Sequence, residues 1–248
     1  MLNTVQGKPL AYIIGGDNDG KLICVDENYT QGYDEIELTE DSKLKPLMNM
    51  VDRGVYYIAG PSGSGKSTYA SSLIKDYIKM YPDTEFYLFS RTDAKNDPAF
   101  NGMKINQIRI DDSLLDNPID IEKELGERSL LFFDDCGTIQ NDKLKHYIEH
   151  LMSDIMEVGR KLHINIVITN HLVIPNERKF ARTVLNELQY LTFFPKSGSS
   201  QQISYALKTY FGLSKRQINT ILELNSRWVT VSKNYPMTCM CERGIFIL

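Results

Sequence analysis

No apolar run in this chain approaches the roughly 20 residues needed to cross a bilayer as a helix. No membrane span is therefore expected. Cysteine is sparse, with four residues at irregular spacing (Cys24, Cys136, Cys239 and Cys241), which argues against a disulfide framework. Cys239-Met240-Cys241 is too closely spaced for a zinc knuckle and has no second pair at ligand distance. The expectation there is two thiols on opposite faces of a strand. A basic excess is also missing: the formal net charge is −4, so whole-surface attraction to nucleic acid is not a feature of this protein. A channel that concentrates a few Lys and Arg is still compatible with that balance. The start, MLNTVQGKPL, lacks the charged-then-apolar run of a signal peptide, and a reducing, intracellular setting is expected. There is no internal repeat and no low-complexity segment.

What is present is enough apolar material for a sizeable core, patterned in three stretches. Residues 1–50 read as a β-rich appendage. In it Leu10 to Ile14 and Lys21 to Val25 flank the turn-rich Gly15 to Gly20 as a hairpin, and the acidic stretch to Asp41 reads as solvated loop. Residues 51–195 alternate apolar strands with amphipathic helices. The expected strands are Val55–Ala59, Glu85–Ser90, Ile105–Ile110, Ser129–Phe133, Ile164–Thr169 and Tyr190–Phe194. The expected helices are Lys66–Met80, Lys143–Leu162 and Glu177–Leu188. Continuous apolar strands such as Leu130 to Phe133 belong in the middle of a parallel sheet, so the fold class is α/β. Residues 196–248 read as C-terminal helices, about Gln201–Tyr210 and Ser214–Leu224, then terminal strands near Arg227–Ser232 and Gly244–Leu248.

Gly60-Pro61-Ser62-Gly63-Ser64-Gly65-Lys66-Ser67 satisfies G-x-x-x-x-G-K-[ST] at every fixed position, and Thr68 continues it. Glycines let the backbone turn its N–H groups onto phosphate oxygens. The helix that follows aims its positive end at the same anion. Lys66 is suited to the β- and γ-phosphates of ATP, and the Ser67 hydroxyl to Mg²⁺. The apolar strand before the loop and the amphipathic helix after it are the context this motif requires.

A phosphate-bound Mg²⁺ needs a carboxylate from a neighbouring strand. Leu130 to Phe133 ends in Asp134-Asp135. Asp134 is assigned to Mg²⁺ and Asp135 to the general base that orients water. Asp111-Asp112 also follows a strand, but a weak one. Thr169-Asn170 ends the next strand, and Asn170 is the candidate γ-phosphate sensor; His171 beside it reads as a loop residue. An acid next to the metal carboxylate favours the hydrolysing (ASCE, RecA-like) branch of P-loop NTPases over small-molecule kinases.

With these parts in order, the chain resembles the FtsK–HerA superfamily of DNA-pumping ATPases, and within it the short genome-packaging ATPases of the poxvirus and giant-virus type. The resemblance covers about residues 51–195. It is carried by Gly60 to Thr68, Asp134-Asp135, and Gly159-Arg160-Lys161-Leu162-His163-Ile164-Asn165 leading into Ile166 to Asn170. Bacterial relatives usually have Glu at the place of Asp135 and Gln at that of Asn170. The resemblance implies a homo-oligomeric ring, often a hexamer, that packages the double-stranded DNA of a viral genome into a capsid. It also implies a vertex or portal-like capsid partner, and a place in the virus factory of the host cytoplasm or with the virion. In such a ring a neighbour supplies an arginine to the γ-phosphate. Arg160 is the first candidate, then Arg178 and Arg182. Arg178-Lys179 with Arg182, the 196–202 loop and Lys215-Arg216 are the basic features available to a DNA backbone. Two other readings stay open: a helicase-like or AAA-type ATPase, and a low-turnover ATP-dependent switch.

Overall fold

A computed structural model describes residues 1–28, 38–48, 53–94 and 98–248. Part of the acidic stretch before Asp41 and the boundary expected at residues 50 and 51 lie outside the described residues. The N-terminal part forms a four-stranded antiparallel sheet of β1 (Leu2–Asn3), β2 (Lys8–Ile14), β3 (Leu22–Val25) and β4 (Lys43–Pro46), in the order β1-β3-β2-β4. The expected hairpin is β2 and β3, with a bulge between Pro9 and Ala11.

The rest is built on one nine-stranded sheet. Its strands are β5 (Val55–Ala59), β6 (Phe86–Ser90), β7 (Asn106–Arg109), β8 (Leu130–Phe133), β9 (Asn165–Asn170), β10 (Tyr190–Phe193), β11 (Val229–Ser232), β12 (Thr238–Cys241) and β13 (Gly244–Ile247). The order is β13-β12-β11-β10-β5-β9-β8-β6-β7. From β10 to β7 every pair is parallel; β11, β12 and β13 continue the sheet as an antiparallel meander. The helices are α1 (Lys66–Met80), the short α2 (Ser113–Asp116) and α3 (Ile121–Glu124), α4 (Asp142–Val158), α5 (Arg178–Glu187), α6 (Ser200–Phe211) and α7 (Lys215–Leu222). This is the fold of P-loop NTPases.

Side-chain alternation along the strands builds the two halves of the core. Val55, Tyr57 and Ala59 of β5, with Leu131 and Phe133 of β8, face the layer of α4 to α7. Tyr56 and Ile58, with Leu130 and Phe132, face α1. Both faces are covered, so these strands are apolar at every position. The N-terminal sheet packs through Ala11, Ile13 and Leu44 against Met240, beside Trp228 and Ile245. It is further tied by the Leu44 N–H donating to the Glu242 carbonyl (2.8 Å) and by Lys45 Nζ paired with Asp76 at 2.6 Å.

Two expectations are corrected. The apolar stripe of the helix before β9 runs on to Leu162, but α4 stops at Val158. Arg53 caps that end: its guanidinium donates to the Met156 carbonyl (2.8 Å), an acceptor of the kind that helix ends leave open, and to the Ile155 carbonyl (3.0 Å), which also accepts the Gly159 N–H. The chain then turns through His163, at φ 55°, with the Ile164 N–H donating to the Gly159 carbonyl. Cys239 and Cys241 do not occupy opposite faces of β12. They are two residues apart, so both side chains fall on the same face and enter the same core, while Met240 points to the N-terminal sheet.

Candidate active site

Parallel strands deliver their carboxyl ends to one edge of the sheet, and the loops that follow β5, β8 and β9 meet there. β9 lies between β5 and β8, so its last residues stand between the phosphate loop and the acidic pair.

The loop leaves β5 at Gly60, whose N–H donates to the Asn170 carbonyl (3.0 Å). A Cβ at Gly60 would lie 2.7 Å from both a Phe194 ring carbon and Ser64 Oγ, so no side chain fits here. Gly65 has φ 100°, a backbone state that side chains disfavour, and from it the chain enters α1. Lys66 is buried, and its Nζ donates to the Pro61 carbonyl at 3.2 Å. Pro61, Ser62 and Gly63 form the outer curve, while Ser67 and Thr68 are exposed in the first helical turn.

Asp134 and Asp135 follow β8. The Thr169 hydroxyl holds both: it donates to Asp134 Oδ1 (2.9 Å) and accepts from the Asp135 N–H (2.9 Å). Asp135 takes a left-handed backbone (φ 52°). Asp135 Oδ2 lies 2.8 Å from His171 Nε2. Asn170 is buried between the two loops: its Oδ1 accepts from the Leu172 N–H (3.3 Å) and faces Gly137, where a Cβ would come within 2.8 Å. The Tyr57 hydroxyl donates to the Leu172 carbonyl (2.7 Å), pinning the segment after β9. Burial pushes that phenol well above its usual range, the Asn170 hydrogen bond opposing, so it stays a donor. Burial likewise raises the thiol of Cys136, which follows the acid pair, with the charges of Asp134 and Asp135 adding to the shift.

The structure thus brings together Gly60 to Thr68, Asp134, Asp135 and Asn170. It does not bring Arg160 to them. Arg160 follows α4 and precedes β9, so it lies at the opposite, amino-terminal edge of the sheet. There it neighbours Arg53, whose guanidinium is lowered to about 10 by burial, with the Arg160 charge adding to the shift and Glu187 opposing it. Arg178 and Arg182 are exposed on α5, which starts at the same sheet edge as the phosphate loop. Lys179 is exposed in the first turn of that helix, Lys196 donates to Asn225 Oδ1 (2.6 Å), and Lys215 and Arg216 are exposed at the start of α7. Thr169, Tyr57 and the His171 pairing had no distinct sequence signal: each acts through a neighbour brought close only by the sheet.

Ser64 Oγ and Asp135 Oδ1 are buried and make no hydrogen bond within the described residues. Orphaned polar atoms on both sides of Asn170 suit a site completed by a polar ligand. Hydroxyl and carboxylate donors, Ser67 and Asp134, form an oxygen set that matches Mg²⁺ rather than a softer ion. Among the described residues no cluster of three or more His, Cys, Asp or Glu forms a metal site without a ligand's help, and no helix is long and apolar enough to cross a membrane.

No family model matches the chain. Among solved structures, its fold is similar to the genome packaging NTPase B204 of Sulfolobus turreted icosahedral virus 2 in complex with sulfate. The TM-score is 0.52 at 11% identity, covering 79% of this chain and 98% of the other. It is also similar to the pCW3 conjugation coupling protein TcpA in a form with ATPγS, with TM-score 0.51 at 15% identity, covering 95% and 77%. These likenesses concern the fold. In sequence, 194 residues are 25% identical to a recombination and repair protein of Enterobacteria phage T4, covering 70% of this chain and 49% of that one. Far stronger is the match to the uncharacterized protein V3 of the Sputnik virophage, 41% identical over 239 residues and covering 96% of this chain and 95% of that one. The chain belongs to the family of the Sputnik virophage protein V3.

Proposed function

We propose that this protein hydrolyses ATP and uses the energy to move double-stranded viral DNA into a capsid. The observation that carries the reading is the convergence of the phosphate loop, Asp134-Asp135 and Asn170 at the ends of three adjacent parallel strands. Loop backbone N–H groups, the α1 terminus and Lys66 bind and orient the triphosphate. Ser67 and Asp134 would hold Mg²⁺, which would neutralise phosphate charge. Asp135, paired with His171, accepts the proton of the attacking water. Asn170 reports the γ-phosphate to the phosphate loop through its bond to Gly60.

A viral setting is supported by the family's virophage relative, and packaging by the fold shared with a viral genome packaging NTPase. The working form is a ring, with a hexamer as the first expectation. Arg160 lies far from its own subunit's loop, which suits a residue offered to a neighbour; Arg178 and Arg182 are the alternatives. The basic positions on α5, in the 196–202 loop and at Lys215-Arg216 contact the DNA backbone, and a capsid vertex component docks the ring in the host cytoplasm. Residues 51–195 are the motor core, with 1–50 and 196–248 packed on it.

Double-stranded DNA should raise ATP turnover of the assembled protein, and Lys66→Ala should abolish turnover while leaving the circular dichroism spectrum unchanged. Turnover that neither DNA nor salt affects, together with no DNA binding at low salt, would refute the motor. A second reading is favoured by the phage T4 relative: an ATPase of recombination or repair. Strand displacement or strand exchange by the pure protein would select it, since a packaging motor moves intact duplex.

A further inference from the structure

On the flank of the phosphate loop away from Asp134 and Asn170, toward β10 and β11, lies a cavity of about 200 Å³ that begins at Ser64, Gly65 and Thr68. Whole small-molecule sites measure roughly 300–1,000 Å³, so this one holds a fragment of a ligand whose remainder lies elsewhere. Its walls are aromatic. The Tyr69 and Trp228 rings are 5.2 Å apart at 59°, and Phe194 closes the side nearest the loop. Tyr69 is fixed by its hydroxyl, 2.8 Å from Thr230 Oγ1, which is itself 2.7 Å from Thr192 Oγ1. Its polar lining includes Lys45, Ser72, Arg227 and Glu242, and the one carboxylate among them is held in place: Glu242 Oε2 accepts from the Arg227 N–H (2.7 Å). The far wall is Pro46 of β4, so the N-terminal sheet closes the cavity.

We infer that this cavity seats the purine base of the nucleotide whose phosphates the loop holds, with Trp228 against the face of the base and Glu242 accepting from its exocyclic amine. The inference rests on the reading of Gly60 to Thr68 as a nucleotide site. A flat aromatic wall suits a base because every base offers a π-face. The carboxylate adds selection: with Oε2 engaged by the Arg227 N–H, Glu242 meets the base through Oε1. One acceptor matches the single amino group of adenine, whereas the paired donors of guanine call for both oxygens. The N-terminal sheet then has a role in the chemistry, as one wall of the base site.

Trp228 is the single tryptophan of the chain, so its emission reads the cavity directly. The full-length protein is titrated with ATP, GTP and inorganic tripolyphosphate, following both tryptophan emission and the heat of binding. ATP is expected to bind and change the emission, GTP to bind more weakly, and tripolyphosphate to bind without changing it. Trp228→Ala should weaken ATP about tenfold or more, the scale of a lost base–aromatic stack, and leave tripolyphosphate within about twofold. ATP that binds calorimetrically while the wild-type emission stays constant overturns the base site and spares the phosphate loop. Absence of binding by both ATP and tripolyphosphate overturns the loop reading, and this inference with it. The wild-type titration decides even if the variant misfolds.

Discussion

The Thr169 hydroxyl donates to Asp134 Oδ1 at 2.9 Å, and the same oxygen accepts the backbone N–H of Asp135. One side chain on β9 therefore holds both acids that follow β8. Its donor and acceptor capacity are used together, which no apolar replacement can copy.

Thr169→Val preserves the shape and removes that hydroxyl. The expected result is a fall in ATP turnover of about 10- to 100-fold, the usual scale when a partner of a metal-binding carboxylate is lost. Stability should drop by about 1–2 kcal/mol. Steady-state kinetics and urea unfolding measure the two; unchanged turnover would remove Thr169 from the site.

Asp135→Asn should leave ATP affinity nearly intact and lower turnover by roughly 10²–10⁴-fold, as expected for a lost general base. Equilibrium binding and single-turnover hydrolysis separate these effects. If affinity collapses while the residual rate stays normal, Asp135 is a binding group instead.

Arg53 ties the end of α4 to the start of β9 through the carbonyls of Ile155, Met156 and Ile164. Arg53→Ala strips three charge-assisted bonds at a half-buried place, and a loss of about 2–3 kcal/mol is expected. Chemical denaturation is the measurement. A change under about 0.5 kcal/mol, the range of surface substitutions, would mean that water replaces the guanidinium without penalty.

Lys233 donates to the Leu185 carbonyl (2.6 Å), and burial lowers its amine to about 8, with Glu187 opposing the shift. In the unfolded chain the amine keeps a pKa near 10.4. Between the two values the unfolded state binds more protons, so this residue's contribution to stability rises with pH across that window. Below about pH 8 both states are charged and the folded one bears the desolvation penalty. Relative to Lys233→Met, the wild type should gain about 1 kcal/mol between pH 7.5 and pH 10, a figure reduced for solvent screening of the half-exposed head. Parallel slopes for the two proteins would show that the amine titrates normally.

Much of the architecture could be read from local pattern. α1 has the bounds that its apolar stripe predicts, Lys66 to Met80, and α7 begins at the expected place, where Ser214 and Gln217 cap each other reciprocally. Strands buried on both faces betray themselves as unbroken apolar runs. What stayed hidden depends on partners distant in the chain. The end of α4 is capped by Arg53, about a hundred residues earlier. His171 meets Asp135 only because the acid adopts a left-handed backbone. β4, Lys-Leu-Lys-Pro, has one buried residue and little strand character, and it pairs because β2 offers an edge. The site residues were legible where chemistry demands a fixed spacing, as in the phosphate loop, and obscure where a side chain acts through another.

The position of β5 has a consequence for the chain during its own synthesis. Both sheet neighbours of β5, namely β9 and β10, lie more than a hundred residues downstream. Val55 to Ala59 thus leave the ribosome with nothing to pair with, and Gly60 waits for the Asn170 carbonyl. At about 5–20 residues per second, the phosphate loop stays unformed for several seconds. A nascent chain halted near residue 160 should not retain nucleotide, whereas one released past β11 should. The order of translation withholds the phosphate loop from nucleotide until the last parallel strand is in place.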